Sequence, residues 1–171
     1  GCKNAGEIYV FNRLTKADIY VVDMLFATLE STTHKICITD GWSVVLSDTV
    51  GFIKHLPHAL VEAFGVTLEE AAQADLLLHI VDTASSNRDE QIAQVNKVLF
   101  EIGASNVPQI LVHNQIDRVS LDPAVGRDEY GRITSIHASA KTGAGLNLLR
   151  LAMAEHNQYL QKLSTEESAY V

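Results

Sequence analysis

The sequence has little cysteine, proline or tryptophan, and it has no long apolar run. Cys2 and Cys37 are the only cysteines in 171 residues, and they form no C-x-x-C pair. This excludes a disulfide-stapled scaffold and favours reduced thiols, which are usual in the cytoplasm. No stretch has the features of a signal peptide or reaches the roughly 18 apolar residues that span a bilayer. We therefore expect a soluble cytoplasmic protein with no membrane partner.

Positive charge is also scarce. Lysine and arginine together number 13, against 21 aspartates and glutamates, which gives a net charge of −8. A domain that holds nucleic acid by its bulk charge is basic, so we expect no DNA partner. Lys3, Arg13 and Lys16 could form a local basic patch, but ordinary solvated surface residues are the favoured interpretation.

The sequence does contain enough apolar mass for one core, since 47% of its residues are hydrophobic. This predicts a single globular domain over residues 1–162, followed by a polar tail over residues 163–171 that frays. We expect the domain to be a monomer.

Strand-like and helix-like patterns alternate along the chain. Residues 35–39 and 42–46 flank the turn signal Asp40-Gly41 and predict a β-hairpin. The later predicted strands are residues 76–81, 109–112 and 132–136, and the predicted helices are residues 57–71, 87–103 and 146–160. Residues 87–90 have the pattern of a capping box, and residues 120–131 that of an exposed loop. This order predicts an α/β fold of three layers, with helices on both faces of one sheet.

Three short motifs follow predicted strands, at the edge where open α/β sheets bind ligands. They are residues 48–51 (DTVG), 114–117 (NQID) and 139–141 (SAK). In this order they are typical of a guanine-nucleotide site: a γ-phosphate sensor, a base-selecting loop and a base-supporting loop. Asp117 can accept hydrogen bonds from the N1 and N2 groups of guanine, a pairing that adenine cannot offer. Gln115 replaces the lysine more usual at its position, which shortens one stacking contact with the base.

The first eight residues have the glycine spacing of a phosphate-binding loop, G-x-x-x-x-G-K-[ST]. Glu7 stands where that loop needs lysine, and Ile8 stands where it needs a hydroxyl that binds magnesium. A pair of unit charges about 4 Å apart interacts by ~4 kcal/mol at an effective dielectric constant near 20. Because one such attraction is replaced by a repulsion, we expect phosphate binding and hydrolysis to be impaired.

Four segments closely resemble the HflX family of ribosome-associated GTPases. They are residues 26–30 (FATLE), 48–58 (DTVGFIKHLPH), 76–82 (LLLHIVD) and 138–143 (ASAKTG), and the likeness extends from residue 1 to about residue 160. The resemblance implies a phosphate-loop GTPase-type G domain that binds GTP or GDP with Mg²⁺ and acts on the large ribosomal subunit. It also implies that Thr28 is the switch threonine on magnesium and that residues 26–30 form a mobile switch. Whether the chain is an active GTPase stays open, because Glu7 and Ile8 depart from the family pattern.

The candidate site follows from the motifs and from this resemblance. The candidate nucleotide-binding residues are Gly1, Asn4, Ala5, Gly6, Phe26, Ala27, Thr28, Leu29, Glu30, Asp48, Thr49, Val50, Gly51, Asn114, Gln115, Ile116, Asp117, Ser139, Ala140 and Lys141. The candidate magnesium ligands are Thr28 and Asp48, with magnesium weak or absent because Ile8 replaces a ligand. No catalytic residue is assigned. The alternative function is that of a non-enzymatic pseudo-GTPase, or a fragment, that serves as a protein-interaction domain.

A phosphate-loop fold has a strand directly before its glycine-rich loop, and this sequence starts at the loop itself. We therefore expect a sheet without its first strand, and the N-terminal domain that the resemblance implies is missing from this sequence as well. Either the sequence is a fragment of a longer protein, or another segment takes the place of the strand. Residues 8–11 and 19–22 are rich in β-branched and aromatic residues, so they form either a poor first helix with its loop or a substitute strand. In either case residues 1–22 are expected to be the least regular part of the domain, without a closed cradle of N–H groups.

Overall fold

The computed structural model describes residues 5–15, 32–39, 42–48 and 65–168. Its helices and strands alternate along the chain, which confirms the α/β class. The elements are α1 (Glu7–Thr15), β1 (Thr32–Thr39), β2 (Trp42–Asp48), α2 (Gly65–Ala72), β3 (Leu77–Asp82), α3 (Arg88–Glu101), β4 (Gln109–Asn114), β5 (Ala124–Arg127), β6 (Ile133–His137) and α4 (Leu146–Ser168). A short 3₁₀ turn, Ile116–Arg118, follows β4. None of the described helices combines the length and the hydropathy of a membrane span.

The strands among the described residues form two sheets. The larger sheet has the order β3-β4-β6-β5, in which β3, β4 and β6 are parallel and β5 is an antiparallel edge strand. β1 and β2 form the predicted antiparallel hairpin, whose turn lies outside the described residues. Within the described part of the chain no strand joins β2 to β3.

The larger sheet is covered on both faces. Successive side chains of a strand point to opposite faces, and the neighbours Ile80 and Val81 on β3 are only 5% and 0% exposed. Arg150 on α4 donates hydrogen bonds to the carbonyl oxygens of Leu14 on α1 and Cys37 on β1, both at 2.9 Å. One core therefore joins the hairpin, the first helix and the larger sheet, as expected for three layers.

The start of the chain differs from the prediction. Residues 7–15 form a regular helix that buries Val10, Phe11 and Leu14 along one side. The interpretation of residues 8–11 as part of a first helix is therefore confirmed. The alternative of a substitute strand was wrong for these residues, and the expectation of the least regular structure was wrong for residues 5–15. Burial of that apolar stripe outweighs the modest helix propensity of its β-branched and aromatic residues. Residues 1–4 and 19–22 lie outside the described part of the chain.

Three smaller predictions were also wrong. The segment predicted as a loop, residues 120–131, contains β5, because pairing at a sheet edge uses backbone groups and needs no apolar run. Asn87 makes no side-chain hydrogen bond at the start of α3, so the capping box is not formed. Helix α4 continues to Ser168, beyond the predicted end at residue 160, because its last turns consist largely of residues that tolerate a helix.

Candidate nucleotide-binding site

The base-selecting and base-supporting motifs emerge side by side from the larger sheet. β4 and β6 are parallel, and the last pair in their register is His113 with His137. The next residues continue the contact, since the Ala138 amide donates to the His113 carbonyl at 2.9 Å. Asn114 and Ser139 therefore lie at the same carboxyl edge, although 25 residue positions separate them in the sequence.

Asn114 joins three segments of the chain through one buried amide. Asn114 is only 1% exposed. Its Nδ2 donates to the Ala5 carbonyl at 2.8 Å, and its Oδ1 accepts a hydrogen bond from the Ala140 amide at 2.9 Å. Ala5 and the base-supporting loop are thus held to the base-selecting loop by a single residue.

Gly6 allows this close approach. Its φ of +81° lies in the left-handed region, and a Cβ at this position would lie 2.6 Å from the Asn114 Nδ2 atom. A side chain here would therefore displace the amide that braces the loops.

Asp117 lies at the surface in the short 3₁₀ turn, and a buried neighbour orients it. The Ser139 hydroxyl donates to Asp117 Oδ1 at 2.6 Å, and Ser139 itself is 0% exposed. The same hydroxyl accepts a hydrogen bond from the Thr142 amide at 3.2 Å. Ile116, 2% exposed, anchors the turn in the core. The carboxylate is thereby held in a defined position at the surface, where it can accept hydrogen bonds from a base.

Two arginines that the sequence analysis did not assign to the site shape its loops. Arg13 on α1 donates from Nε to the Ala140 carbonyl at 3.0 Å and from Nη2 to the Lys141 carbonyl at 2.9 Å. Arg13 is an exposed residue, as expected, and its guanidinium also binds the base-supporting loop. Arg13 reaches these carbonyls from a helix, and the sequence left this segment open between a helix and a strand.

Arg118 holds the other side of the base-selecting loop. Its Nη1 donates to Gln115 Oε1 at 2.7 Å and to Asp82 Oδ2 at 3.0 Å. Gln115 has a left-handed backbone with φ of 65°. The glutamine that replaces the usual lysine is thus tied through Arg118 to the end of β3.

The phosphate side of the site, at the start of α1, carries an acidic and an apolar residue. Ala5 is fully buried, and the Gly6 carbonyl accepts the Val10 amide at 3.0 Å, which begins the α1 hydrogen-bond ladder. Glu7 is the first residue of that helix, and its Oε2 is buried without a hydrogen-bond partner among the described residues. Ile8 offers only hydrocarbon. An anion therefore stands at the helix end where a phosphate loop places a cation.

One of the two candidate magnesium ligands, Asp48, lies among the described residues. Asp48 ends β2 and is half-buried, but Ile8 supplies no oxygen. No group of three or more histidine, cysteine, aspartate or glutamate side chains within the described ranges could hold a metal. Several other candidates lie outside those ranges, and they are Gly1, Asn4, Phe26, Ala27, Thr28, Leu29, Glu30, Thr49, Val50 and Gly51.

Three histidines line one face of the sheet beneath the base-side loops. The rings of His113 and His137 stack with centroids 4.6 Å apart and planes 13° apart. Nδ1 of His113 is buried without a hydrogen-bond partner in the described structure, and burial, followed by the nearby His137, lowers the pKa of His113. Burial is also the main cause that lowers the pKa of His79 to about 4. Burial therefore disfavours the charged form of His79 on β3 and of His113 on β4.

The fold and these loops define a G domain of the phosphate-loop GTPases. A family model described as a 50S ribosome-binding GTPase matches residues 1–115. The chain belongs to the HflX family of GTPases. It is 47% identical over 156 residues to GTPase HflX of Escherichia coli, covering 91% of this chain and 37% of that relative. It is 48% identical to GTPase HflX of Caldanaerobacter subterraneus, covering 87% of this chain and 33% of the relative. The chain thus spans about a third of the length of these relatives.

Solved structures agree with the fold. A GTP-binding protein from Sulfolobus solfataricus in complex with GDP superposes with a TM-score of 0.71 at 28% identity, covering 94% of this chain and 51% of that one. Era from Aquifex aeolicus superposes with a TM-score of 0.69 at 20% identity, covering 91% of this chain and 54% of that one. At that identity the second likeness shows the fold alone.

Proposed function

We propose that this chain is the guanine-nucleotide-binding domain of an HflX-type ribosome-associated GTPase, and that Asp117 selects the base. The observation that carries this proposal is the amide of Asn114, bonded to both Ala5 and Ala140. It unites the base-side loops into one site while Ser139 holds Asp117 at the surface.

The chemistry of the carboxylate supports guanine over adenine. Guanine presents two adjacent N–H donors, at N1 and at the exocyclic N2, and a carboxylate accepts both in charge-assisted hydrogen bonds. Adenine has an acceptor at N1 and would face the carboxylate with no donor there. Because a site built for hydrogen bonds rejects a ligand that leaves it unpaired, Asp117 gives selectivity as well as affinity.

The phosphate side supports weak phosphate binding and impaired hydrolysis. Glu7 repels phosphate oxygens, and Ile8 removes a magnesium ligand. We expect magnesium to bind weakly or not at all, and GTP hydrolysis to stay at the uncatalysed background. The large ribosomal subunit is the proposed partner, which the description of the matching family model supports.

A second function, a pseudo-GTPase that acts through protein contact, is favoured by the same glutamate. A carboxylate in the phosphate loop is compatible with a domain that keeps the G-domain shape but has lost phosphate chemistry. The two functions differ in one measurable property, because only the first requires guanine to bind.

Competition against a fluorescent guanine nucleotide tests the proposal. GDP and guanosine are expected to displace the probe at lower concentration than ADP and adenosine. Asp117→Ala should abolish this preference, whereas Asp122→Ala, at an exposed aspartate in the following segment, should keep it. Equal displacement by guanine and adenine compounds, or none at millimolar concentration, would reject the guanine site and favour the protein-contact function.

A further inference from the structure

Glu7 places a negative charge at the amino-terminal end of α1. Such an end carries about half a positive elementary charge from the aligned peptide dipoles, and this charge attracts anions. Here the anion is part of the chain, since Glu7 is the acidic residue of the first turn. Its Oε2 is buried, and no described residue donates a hydrogen bond to it. A phosphate at this helix end would therefore meet a carboxylate that no described cation offsets.

The base side is organised independently of that charge. Asn114 bonds Ala5 and Ala140, Arg13 holds the Ala140 and Lys141 carbonyls, and Ser139 orients Asp117. None of these hydrogen bonds uses the Glu7 side chain. The features that select guanine and the feature that repels phosphate therefore act on different parts of one ligand.

We infer that the preferred ligand of this site is a guanine nucleoside, to which the phosphates of GDP and GTP add no affinity. This inference rests on the proposed guanine site and narrows the class of ligand that it takes. The order of affinities is reversed relative to a site with a phosphate-loop lysine: guanosine binds at least as tightly as GDP, and GDP at least as tightly as GTP.

Isothermal titration of the whole chain with guanosine, GMP, GDP and GTP tests the order, with adenosine as the reference compound. Glu7→Gln keeps the size of the side chain and removes its charge. This variant should raise the ratio of GDP affinity to guanosine affinity by about tenfold, a change of about 1.4 kcal/mol. Glu129→Gln removes an exposed glutamate from the turn between β5 and β6 and should leave the ratio unchanged. Added salt screens charge repulsion, so it should raise the GDP-to-guanosine ratio of the unaltered chain.

Each result has one meaning. GDP binding reproducibly tighter than guanosine to the unaltered chain would overturn the inference and leave the guanine site standing. An unchanged ratio in Glu7→Gln would overturn it as well. If neither guanosine nor GDP binds while circular dichroism shows a folded domain, the guanine site itself fails, and the inference fails with it.

Discussion

At the scale of single residues, the site depends on buried polar groups whose partners are distant in sequence. Asn114 bonds the carbonyl of Ala5 and the amide of Ala140, and Arg13 bonds the loop that supports the base. The residue types of the motifs predicted the guanine site, because Asn114 ends an apolar strand and Asp117 follows it three residues later. The partners of Asn114 and Arg13 depend on how the loops meet, which no local pattern records.

Asn114→Ala tests how much the bridging amide contributes. The change leaves one buried carbonyl and one buried amide unpaired, and each such loss costs about 1–3 kcal/mol. We expect the free energy of unfolding to fall by about 2–6 kcal/mol in urea denaturation. Asn96→Ala, at an exposed position of α3, is the matched control and should change it by less than about 0.5 kcal/mol. Equal effects of the two variants would show that the Asn114 bridge is not stabilising.

At the scale of helices and strands, apolar patterning predicted the elements that the core holds. β3 and β4 were predicted because their runs are apolar. The predicted end of α3 at residue 103 lies two residues past the observed end at Glu101, where Gly103 adopts a φ of +75°. β5 was missed because an edge strand is held by backbone hydrogen bonds. α1 was left undecided because its residues favour a strand locally, while packing of its buried stripe decides for a helix.

The start of α4 gives a prediction with a control built into the chain. Gly145 has φ of +78°, and a Cβ there would lie 2.5 Å from the His137 backbone oxygen. Gly103 has a similar φ of +75° but nothing within 4 Å of its Cβ position. Gly103→Ala should therefore lower the free energy of unfolding by about 1 kcal/mol from the backbone conformation alone. Gly145→Ala should lower it by at least about 1–3 kcal/mol more, because the backbone must also move.

Thermal unfolding of the two glycine variants separates these effects. A larger drop in melting temperature for Gly145→Ala than for Gly103→Ala supports close packing between the start of α4 and the end of β6. Equal drops would mean that only the left-handed backbone matters at both positions. The expected loss of stability reflects the packing of α4 and not the binding of a nucleotide, since Gly145 lies outside the candidate site.

At the scale of the whole molecule, the buried histidines on one face of the larger sheet link stability to pH. Burial lowers the pKa of His79 to about 4 from an ordinary value of 6.5, and the nearby His113 adds to this effect. The pKa of His113 is lowered by its own burial, by His137 stacked on it and by Arg88 of α3, while Asp89 of α3 raises it. Because the folded state binds these protons less readily than the unfolded chain, acid favours unfolding.

The domain should therefore lose stability between about pH 6.5, where the histidines of an unfolded chain begin to protonate, and the His79 value of about 4. At 1.36 kcal/mol for each pKa unit, His79 alone accounts for a loss of up to about 3 kcal/mol over this range. Urea denaturation at pH 7.5, 6, 5 and 4 measures the slope. His79→Gln and His113→Gln remove one titrating group each, and each should flatten the profile even if it lowers stability at pH 7.5. A stability that is the same at pH 7.5 and pH 5 would mean that the buried histidines protonate without opening the fold.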